Sequence, residues 1–193
     1  IKDYRRQSIV VRQGERTDRL FLLLKGSVSV IRQHENDKDI VLAYLNQGAF
    51  FGEMGLFDQK QLRSATIRAK TACQIAEISY KKFNELSNVH PELMYTLSQQ
   101  LTTRLRSTSK KVSDLAFLDV TGRVAACLLE LCSQPEAMSH PDGTLLKVTR
   151  QELSLNVGCT REMVGKVIKS LEEQGLVATV GHSIIVLDHA IGL

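Results

Sequence analysis

The sequence predicts an α+β protein in which an antiparallel β-roll is followed by one long helix and a small C-terminal domain of helices and a β-hairpin. Three observations predict this order. Short apolar strands separated by turns fill residues 8–80, an uninterrupted apolar stripe follows Pro91, and two capped short helices precede a hairpin near the C-terminus. With 193 residues, the chain has room for two modest domains, since domains commonly have about 100–150 residues.

Six segments of the N-terminal region are rich in Val, Ile, Leu and Thr, which favour strands. They are Ser8–Arg12, Leu20–Leu24, Ser27–Arg32, Ile40–Leu45, Ala65–Ala69 and Gln74–Ser79. Turn signals separate them, at Gln13-Gly14, Lys25-Gly26, Glu35–Lys38 and Asn46-Gln47-Gly48. Many short strands with no helix between them favour an antiparallel roll or barrel, whose inside is a natural place for one small ligand.

A long helix is predicted from Pro91 to Ala116. Proline suits the first helical position because its missing N–H would be unpaired there, and no further Pro or Gly occurs before Gly122. Six apolar residues, spaced by three, four and seven, form one stripe: Leu93, Leu97, Leu101, Leu105, Val112 and Leu115. Such a rod would be roughly 39 Å long, more than a small roll can cover. We therefore expect it to pair with a second copy of the chain, with packing on its own domain as the alternative.

A short break at Phe117–Val120 separates this helix from another, Gly122–Cys132. A loop from Pro135 to Gly143 and a strand-like segment, Thr144–Val148, come next. We therefore expect a β-roll domain at residues 1–90, a helix and hinge at 91–118, and a winged helix-turn-helix domain at 119–193.

The helix-turn-helix is predicted from its caps. Thr149-Arg150-Gln151-Glu152 is a capping box, in which the Thr hydroxyl and the Glu carboxylate each accept a hydrogen bond from an otherwise unpaired backbone N–H. A short helix follows and ends at Gly158-Cys159, and Thr160 caps a second helix that ends at Gly175. Two strands flanking Gly181-His182 form a hairpin wing: Leu176–Val180 and Ser183–Leu187.

The second helix has one apolar and one polar face. Val164, Val167, Ile168 and Leu171 cluster on the apolar face. On the other side, Arg161, Glu162 and Lys166 face outward near the N-terminal half, and Gly165 leaves room for a close approach. Such positions reach base edges in the major groove of double-stranded DNA. An ordinary solvated face is the alternative, and the caps, the glycine turn and the wing together argue against it.

A ligand pocket is predicted where two glycines and an arginine come close in sequence. Phe51-Gly52-Glu53-Met54-Gly55 precedes Arg63-Ser64 by a few residues. Glycines in a turn expose backbone N–H groups to an anion, an arginine fork and a hydroxyl suit phosphate oxygens, and a carboxylate suits a ribose hydroxyl. These residues favour a ribose-phosphate ligand, with a surface turn carrying an incidental ion pair as the alternative. The phosphate loops of ATP-hydrolysing proteins are absent.

The composition excludes several classes of protein. The charged fraction is ordinary at 24%, and the net charge of +4 is compatible with a polyanionic partner without requiring one. No apolar run approaches the roughly 20 residues that span a bilayer, so we expect a soluble, cytoplasmic protein without membrane contact. Ile1 is not an initiator residue, and we expect the natural N-terminus upstream of it.

Neither a metal site nor a catalytic site is predicted. The four cysteines contain no CxxC pair, so we expect free thiols, and the five histidines show no ligand spacing. No nucleophile–base arrangement is visible, and 193 residues leave no room for a catalytic domain beside the roll. We therefore expect a protein that is not an enzyme.

Several longer motifs carry a family resemblance. They are FGEMGLF, RSATIRAKTACQIAEISYKKF, STSKKVSDLAFLDVTGR, AMSHPDG and TRQELSLNVGCTREMVGKVIKSLEEQGLV. By these motifs, which extend over essentially the whole chain, the sequence resembles the CRP/FNR family of bacterial transcription regulators. The resemblance implies a homodimer that binds cAMP as its allosteric effector and a two-fold symmetric DNA site. In this family cAMP extends the dimer helix and reorients the DNA-binding domains.

The resemblance also implies roles for individual residues. Gly52 and Glu53 would hold the ribose, and Arg63 and Ser64 the cyclic phosphate. The hydroxyls of Thr108 and Ser109, on the long helix, would hydrogen-bond adenine, and Ser109 would come from the other subunit. The hinge would lie near Phe117–Asp119.

The expected DNA-binding residues are Arg150, Gln151, Thr160, Arg161, Glu162 and Lys166. Lys166 departs from the family's usual Arg, so we expect a less specific guanine contact at this position. Family surfaces that touch RNA polymerase match the Ala137–Leu145 loop together with Glu77 and Lys82. The end of that loop departs from the family pattern, and another such surface, around Gln33–Asp39, is altered too.

Other interpretations make different predictions. An iron–sulfur sensor of the FNR type needs a cluster of N-terminal cysteines, and residues 1–50 contain none. A sensor of cyclic di-GMP usually has a disturbed Arg-Ser pair, which is intact here. Regulation by cGMP, or without any ligand, stays open. A purely structural dimer does not explain why the Arg63 pocket and the DNA-facing helix occur together.

Overall fold

The computed structural model describes residues 1–33, 39–58 and 62–191. Two compact units divide the chain, Ile1–Lys110 and Lys111–Leu193. In the described ranges, no helix is both long and apolar enough to cross a bilayer.

The first unit is built on two four-stranded antiparallel sheets. Their strands are β1 (Lys2–Tyr4), β2 (Ile9–Val11), β3 (Arg19–Lys25), β4 (Ser27–Gln33), β5 (Asp39–Asn46), β6 (Phe50–Phe51), β7 (Thr66–Ala69) and β8 (Cys73–Ser79). One sheet has the order β1-β8-β3-β6 and the other β2-β7-β4-β5. The predicted antiparallel roll is therefore confirmed.

Apolar side chains from both sheets form the core of the roll. They include Val11, Phe21, Leu23, Val28, Leu45, Phe51, Ile67 and Ile75. Phe21 and Phe51 stack with ring centroids 5.0 Å apart and an interplanar angle of 10°. This stack lies beside the pocket residues, because Phe51 directly precedes Gly52.

Three helices complete the first unit: α1 (Met54–Phe57), α2 (Tyr80–Val89) and α3 (Glu92–Phe117), the last of which continues into the second unit. A second apolar cluster joins α2 and α3 to the sheet through Leu20, Tyr80, Phe83 and Leu97. The helix α3 is therefore anchored along its first turns.

The predicted apolar stripe of α3 divides into a buried and an exposed part. Leu97 is 1% exposed, and Leu93 and Leu101 pack against the same cluster. Further along, Leu105 is 67% and Val112 61% exposed. The stripe thus packs on its own unit at one end and presents apolar side chains at the other.

The second unit combines helices with a third antiparallel sheet. Its elements are α4 (Val120–Cys132), β9 (Met138–His140), β10 (Gly143–Leu146), α5 (Arg150–Val157), α6 (Arg161–Glu173), β11 (Val177–Val180), β12 (Ser183–Leu187) and α7 (Asp188–Ile191). The sheet has the order β11-β12-β10-β9, and α4, α5 and α6 pack against one another. Val124, Leu128, Leu153, Val164 and Ile168 are the most deeply buried apolar residues.

Most predicted strands agree with the structure to within one or two residues, but some elements were missed. The strands β1, β6 and β9 have only two or three residues each, and no pattern in the sequence predicts them. The helices α1, α2 and α7 are also absent from the prediction. The prediction that α4 begins at Gly122 is wrong. Asp119 caps the helix by accepting from the N–H of Gly122 at 2.7 Å, so helix α4 begins at Val120. The predicted turn at Glu35–Lys38, and most of the altered surface at Gln33–Asp39, lie outside the described residues.

Candidate functional site

The predicted pocket of the first unit lies around two glycines, Gly52 between β6 and α1 and Gly55 within α1. Gly52 has φ +79°, and a Cβ there would overlap the guanidinium of Arg63. A Cβ on Gly55 would lie 2.6 Å from the hydroxyl of Tyr80. Both positions therefore require glycine, because a side chain would displace the polar groups that meet beneath the turn.

Arg63 is the centre of these polar groups and is only 7% exposed. Its Nη1 donates to the carbonyl of Gly52 at 2.9 Å and to the hydroxyl of Tyr80 at 3.4 Å. Its Nη2 donates to the carbonyl of Arg19 at 2.7 Å and to the hydroxyl of Thr17. Tyr80 in turn donates to the Gly52 carbonyl at 2.6 Å. The cation is thus held by neutral acceptors on several elements.

One donor of Arg63 is left over. In the described part of the chain, the buried Nε–H has no hydrogen-bond partner. The guanidinium carbon lies 5.0 Å from the ring centroid of Phe21. Burial lowers the pKa of Arg63 from its ordinary value, while the Tyr80 hydroxyl acts in the opposite direction. A buried cation with an unused donor is suited to an anionic ligand, because the anion would supply both charge and acceptor.

Glu53 and α3 meet beside this cation. Nη1 of Arg104 donates to Glu53 Oε1 at 3.2 Å, and Nη2 of Arg104 donates to the carbonyl of Phe50. The amide of Gln100 accepts from the Phe50 N–H at 2.8 Å and donates to the Gly48 carbonyl at 3.0 Å. Two side chains of the long helix thereby hold the segment that carries Gly52 and Glu53.

The remaining predicted pocket residues are exposed. Ser64 donates to the sulfur of Met54 at 3.0 Å, next to Arg63. Thr108 and Ser109 lie exposed on α3. The structure therefore brings Gly52 and Arg63 into direct contact and places Glu53 and Ser64 at their sides, whereas Thr108 and Ser109 belong to a separate, exposed stretch of helix.

A second candidate site is formed by α5 and α6. The capping box predicted at Thr149 is present, with the Glu152 N–H bonded to Thr149 Oγ1 at 3.1 Å and the Thr149 N–H to the Glu152 carboxylate at 2.9 Å. Gly158 ends α5 in the left-handed conformation, at φ +71°. Thr160 then caps α6 by accepting from the Met163 N–H at 3.2 Å. The turn between the two helices is therefore fixed at both ends.

The outward face of α6 carries the predicted polar residues. Arg161, Glu162 and Lys166 are exposed, whereas Val164 and Ile168 are buried, as the helical spacing predicts. The side chain of Arg150, at the start of α5, lies close to Gly165 in the middle of α6. A Cβ on Gly165 would be 3.5 Å from Nη1 of Arg150. Gln151 and Thr160 are exposed as well. All six predicted DNA-binding residues therefore lie on α5, α6 or the turn between them, and all are accessible.

The hairpin is tied to α6 by one carboxylate. Glu172 accepts from the N–H and the hydroxyl of Thr179, at 2.9 and 2.7 Å. These two hydrogen bonds lower the pKa of Glu172, and Arg150 adds a smaller effect in the same direction. The first strand of the hairpin, β11, is thereby fixed relative to α6.

Sequence reasoning missed four residues of the first site: Thr17, Tyr80, Gln100 and Arg104. Gln100 and Arg104 share helix α3, but Thr17 and Tyr80 come from other elements, so no spacing along the chain connects all four with Arg63. The single available signal was Gly55, whose missing Cβ makes room for the Tyr80 hydroxyl.

The described residues contain no group of three His, Cys, Asp or Glu side chains arranged to hold a metal ion. None of the four cysteines, all of which lie in the described ranges, forms a disulfide. Burial raises the pKa of the Cys132 and Cys159 thiols, so neither is an activated thiolate.

The two units match two known domain families. Residues 1–90 match the cyclic nucleotide-binding domain, and residues 122–190 match the Crp-like helix-turn-helix domain. The cAMP-activated global transcriptional regulator Vfr of Pseudomonas aeruginosa is 53% identical over 186 residues, which cover 95% of this chain and 87% of Vfr. The cAMP-activated global transcriptional regulator CRP of Salmonella typhimurium is 52% identical, over 96% of this chain and 89% of that protein.

Solved structures show the same fold. The c-di-GMP-responsive global regulator CLP of Xanthomonas campestris superposes with a TM-score of 0.90 at 41% identity, covering 96% of this chain and 92% of that one. A CRP/FNR-family transcriptional regulator of Thermus thermophilus gives a TM-score of 0.86 at 30% identity, covering 99% and 94%. The predicted order of roll, long helix and helix-turn-helix is thus confirmed.

The contacts of Arg104 generate a testable prediction. Arg104→Ala removes a hydrogen bond to a backbone carbonyl and leaves the largely buried Glu53 carboxylate without its cation. We expect a loss of about 1–3 kcal/mol in the free energy of unfolding of the first unit, measured by urea denaturation. Arg106→Ala, an exposed arginine on the same helix, is the matched control and should change little. Equal effects of the two substitutions would contradict the anchoring role.

Proposed function

The chain belongs to the CRP/FNR family of transcriptional regulators, and from that premise we propose that it is a cAMP-dependent, sequence-specific DNA-binding regulator that acts as a homodimer in the cytoplasm. One observation carries the proposal: a buried arginine with an unused Nε–H lies beneath the Gly52 turn, where an anion would complete it. The relatives are regulators, in agreement with the prediction that the protein is not an enzyme.

We assign the parts of cAMP to residues as follows. The cyclic phosphate binds Arg63 and Ser64, and the ribose binds the Gly52 backbone and Glu53. Adenine binds Thr108 of one subunit and Ser109 of the other. The pairing of Glu53 with Arg104 supports this assignment, because it fixes one carboxylate oxygen and leaves the other to accept from a ribose hydroxyl.

Dimerisation is proposed through the exposed part of α3. Leu105, Val112 and Leu115 are all more than half exposed in a single chain, which is costly for three apolar side chains on one helix. A second copy of the same helix would cover them. We further propose that residues 1–90 act as the nucleotide-binding domain, 91–118 as the dimer helix and hinge, and 119–193 as the DNA-binding domain.

Control by cAMP requires that the nucleotide bind the DNA-competent state more tightly than the other state. Bound DNA must then raise the affinity for cAMP by the same factor. In the proposed mechanism, adenine contacts across the dimer helix favour a longer helix and reorient the DNA-binding domains. Arg104 and Gln100 support such coupling, because they join the ribose segment to α3.

The DNA contacts proposed for α5 and α6 follow from hydrogen-bonding geometry. Arg161 suits guanine O6 and N7, and Glu162 accepts from cytosine N4. Arg150 and Gln151 lie at the start of α5 and Thr160 at the start of α6, where phosphate contacts are common. A dimer would read a two-fold symmetric site.

Contacts with RNA polymerase are proposed by family resemblance, through the Ala137–Leu145 loop together with Glu77 and Lys82. Glu77 is held by Lys2 at 3.0 Å and Arg19 at 3.2 Å, and the hydrogen bond from Lys2 lowers its pKa. Lys82 is exposed and pairs with Glu85 at 3.1 Å.

Cyclic di-GMP is the second candidate effector, because CLP, which is 41% identical, is a c-di-GMP-responsive regulator. Vfr and CRP, at 52–53% identity, are named as cAMP-activated, and their higher similarity favours cAMP. The intact Arg63-Ser64 pair supports the same choice.

The effector assignment is tested by calorimetric titration with cAMP, cGMP and cyclic di-GMP. Arg63→Leu should weaken cAMP binding by at least about 1.5–3 kcal/mol, the typical contribution of a charge-assisted hydrogen bond. Arg68→Leu, on the neighbouring strand β7, is the control and should keep the wild-type affinity. Unchanged cAMP affinity in Arg63→Leu would refute the assignment, and tighter binding of cyclic di-GMP than of cAMP would favour the second candidate.

The dimer is tested on Leu105, because Leu101 packs against its own unit and would confound the result. Leu105→Lys should shift the sedimentation of the protein towards monomer and abolish specific DNA binding, since it places charges in an apolar interface. Val89→Lys makes the same change at another exposed helical position, 72% exposed, and should leave the dimer intact. A fully dimeric Leu105→Lys variant would count against this interface.

Lys166 is expected to adjust base reading without abolishing it. Lysine can bond guanine O6 and N7 but lacks the planar fork of arginine. Lys166→Arg should therefore sharpen discrimination at one guanine by a fraction of the roughly 1–3 kcal/mol of a bidentate contact. The salt dependence of binding should stay nearly constant, since the charge is kept.

The measurement is competitive binding to half-sites mutated one base at a time. Lys169→Arg is the matched control, because Lys169 is exposed on α6 and pairs with Glu173 at 3.8 Å. Identical base preferences in wild type and Lys166→Arg would show that Lys166 does not read sequence.

A further inference from the structure

The hydrogen bonds of Arg63 account for four of its five N–H groups. The two hydrogens of Nη1 go to the Gly52 carbonyl and the Tyr80 hydroxyl, and those of Nη2 to the Arg19 carbonyl and the Thr17 hydroxyl. A guanidinium has five such donors and no acceptor. The fifth donor of Arg63, its Nε–H, has no acceptor among the described residues.

Thr17 lies in the loop between β2 and β3, and its hydroxyl accepts two hydrogen bonds. Its Oγ1 accepts from Nη2 of Arg63 and also from the backbone N–H of Arg19 at 3.1 Å. Both lone pairs of the hydroxyl are then used. The bond to the Arg19 N–H orients the backbone of the same residue whose carbonyl accepts from Nη2. Thr17 therefore fixes Nη2 of the guanidinium in two ways, directly and by orienting the Arg19 carbonyl.

From this geometry we infer that Thr17 is a positioning residue for nucleotide binding, which holds Arg63 so that its Nε–H is the donor presented to the cyclic phosphate. The inference rests on the proposed function, because it assumes that the anion is the phosphate of a cyclic nucleotide. Thr17 itself touches no ligand in this scheme; it acts through Arg63.

The physical reason is preorganisation. An arginine side chain has many rotamers, and a ligand that must fix them loses affinity. Gly52 and Tyr80 accept from Nη1 of the guanidinium. Thr17 and Arg19 accept from Nη2. With both Nη atoms occupied, the plane has one orientation and the phosphate meets Nε–H. Without the Thr17 hydroxyl, one Nη2 hydrogen is buried without an acceptor, and the plane can turn towards the ligand or away from it.

The test compares substitutions of Thr17 by calorimetric titration with cAMP. Thr17→Val replaces the hydroxyl by a methyl of similar size and should weaken binding roughly five- to twenty-fold, which is part of the contribution of one hydrogen bond to a charged group, since this bond is also present without ligand. Thr17→Ser keeps the hydroxyl and should stay within about threefold of wild type. Thr71→Val is the matched control, since the Thr71 hydroxyl also accepts from a backbone N–H, that of Ser27 at 2.9 Å. Its affinity should equal that of wild type.

Two readouts separate positioning from a merely structural role. First, Thr17→Val should add less than about twofold in an Arg63→Lys background, because lysine has no Nη2 to hold. Second, in ¹⁵N spectra of wild type the Arg63 Nε–H resonance, identified by its loss in Arg63→Lys, should shift on addition of cAMP. That shift should be smaller in Thr17→Val. Where valine prevents folding, Thr17→Ala also removes the hydroxyl and provides the same comparison.

The outcomes distinguish this inference from the proposed function. Wild type that binds cAMP, with Thr17→Val binding equally well, overturns the role of Thr17 and leaves the proposed function intact. An equal loss in the Arg63→Lys background also overturns it. If wild type binds cyclic di-GMP or cGMP in place of cAMP, the effector assignment is wrong. A roughly five- to twenty-fold loss of affinity for that nucleotide in Thr17→Val would still support the role of Thr17, because the same hydrogen bond to Arg63 is lost. A wild-type protein that binds none of the three refutes both.

Discussion

The buried guanidinium of Arg63 is the interaction around which the nucleotide-binding unit is organised. A charge taken out of water costs several kcal/mol unless hydrogen bonds and neighbouring charges compensate for it. Here the compensation comes from two carbonyls and two hydroxyls on different elements, and from the face of Phe21. Gly52 and Gly55 must lack a Cβ so that these groups can meet. Under the proposed function, the anionic phosphate of the nucleotide adds the charge that the neutral acceptors do not provide.

The long helix α3 carries contacts of two different kinds along its length. Its first turns pack on the roll through Leu97, and Gln100 and Arg104 bind the segment around Phe50. Beyond Leu105 the same helix presents apolar side chains without cover in a single chain. One element therefore holds the segment around Phe50 at one end and exposes apolar side chains at the other. Under the proposed function, the free energies of ligand binding and of dimer geometry are coupled through this helix.

The DNA-binding unit depends on local structure to a greater degree. Two threonine caps and the left-handed Gly158 fix where α5 ends and α6 begins. Burial of Val164 and Ile168 fixes the rotation of α6 about its axis, so Arg161 and Lys166 must face outward. Because the caps and the apolar spacing are adjacent in the chain, this face could be derived from sequence, including the exposure of Lys166.

The sequence by itself determined the roll, the long helix, the capped helix pair and the pocket pair of Gly52 and Arg63. These features depend on periodicity, turn residues and short-range spacing, which act between neighbours in the chain. The tertiary structure alone decided the partners of Arg63. Thr17 is 46 residues away along the chain and reaches Arg63 only through the folding of the roll, and the Tyr80 hydroxyl reaches it because Gly55 leaves room. It likewise decided which half of the α3 stripe is buried, because helical spacing fixes the direction of a side chain but not what lies opposite it.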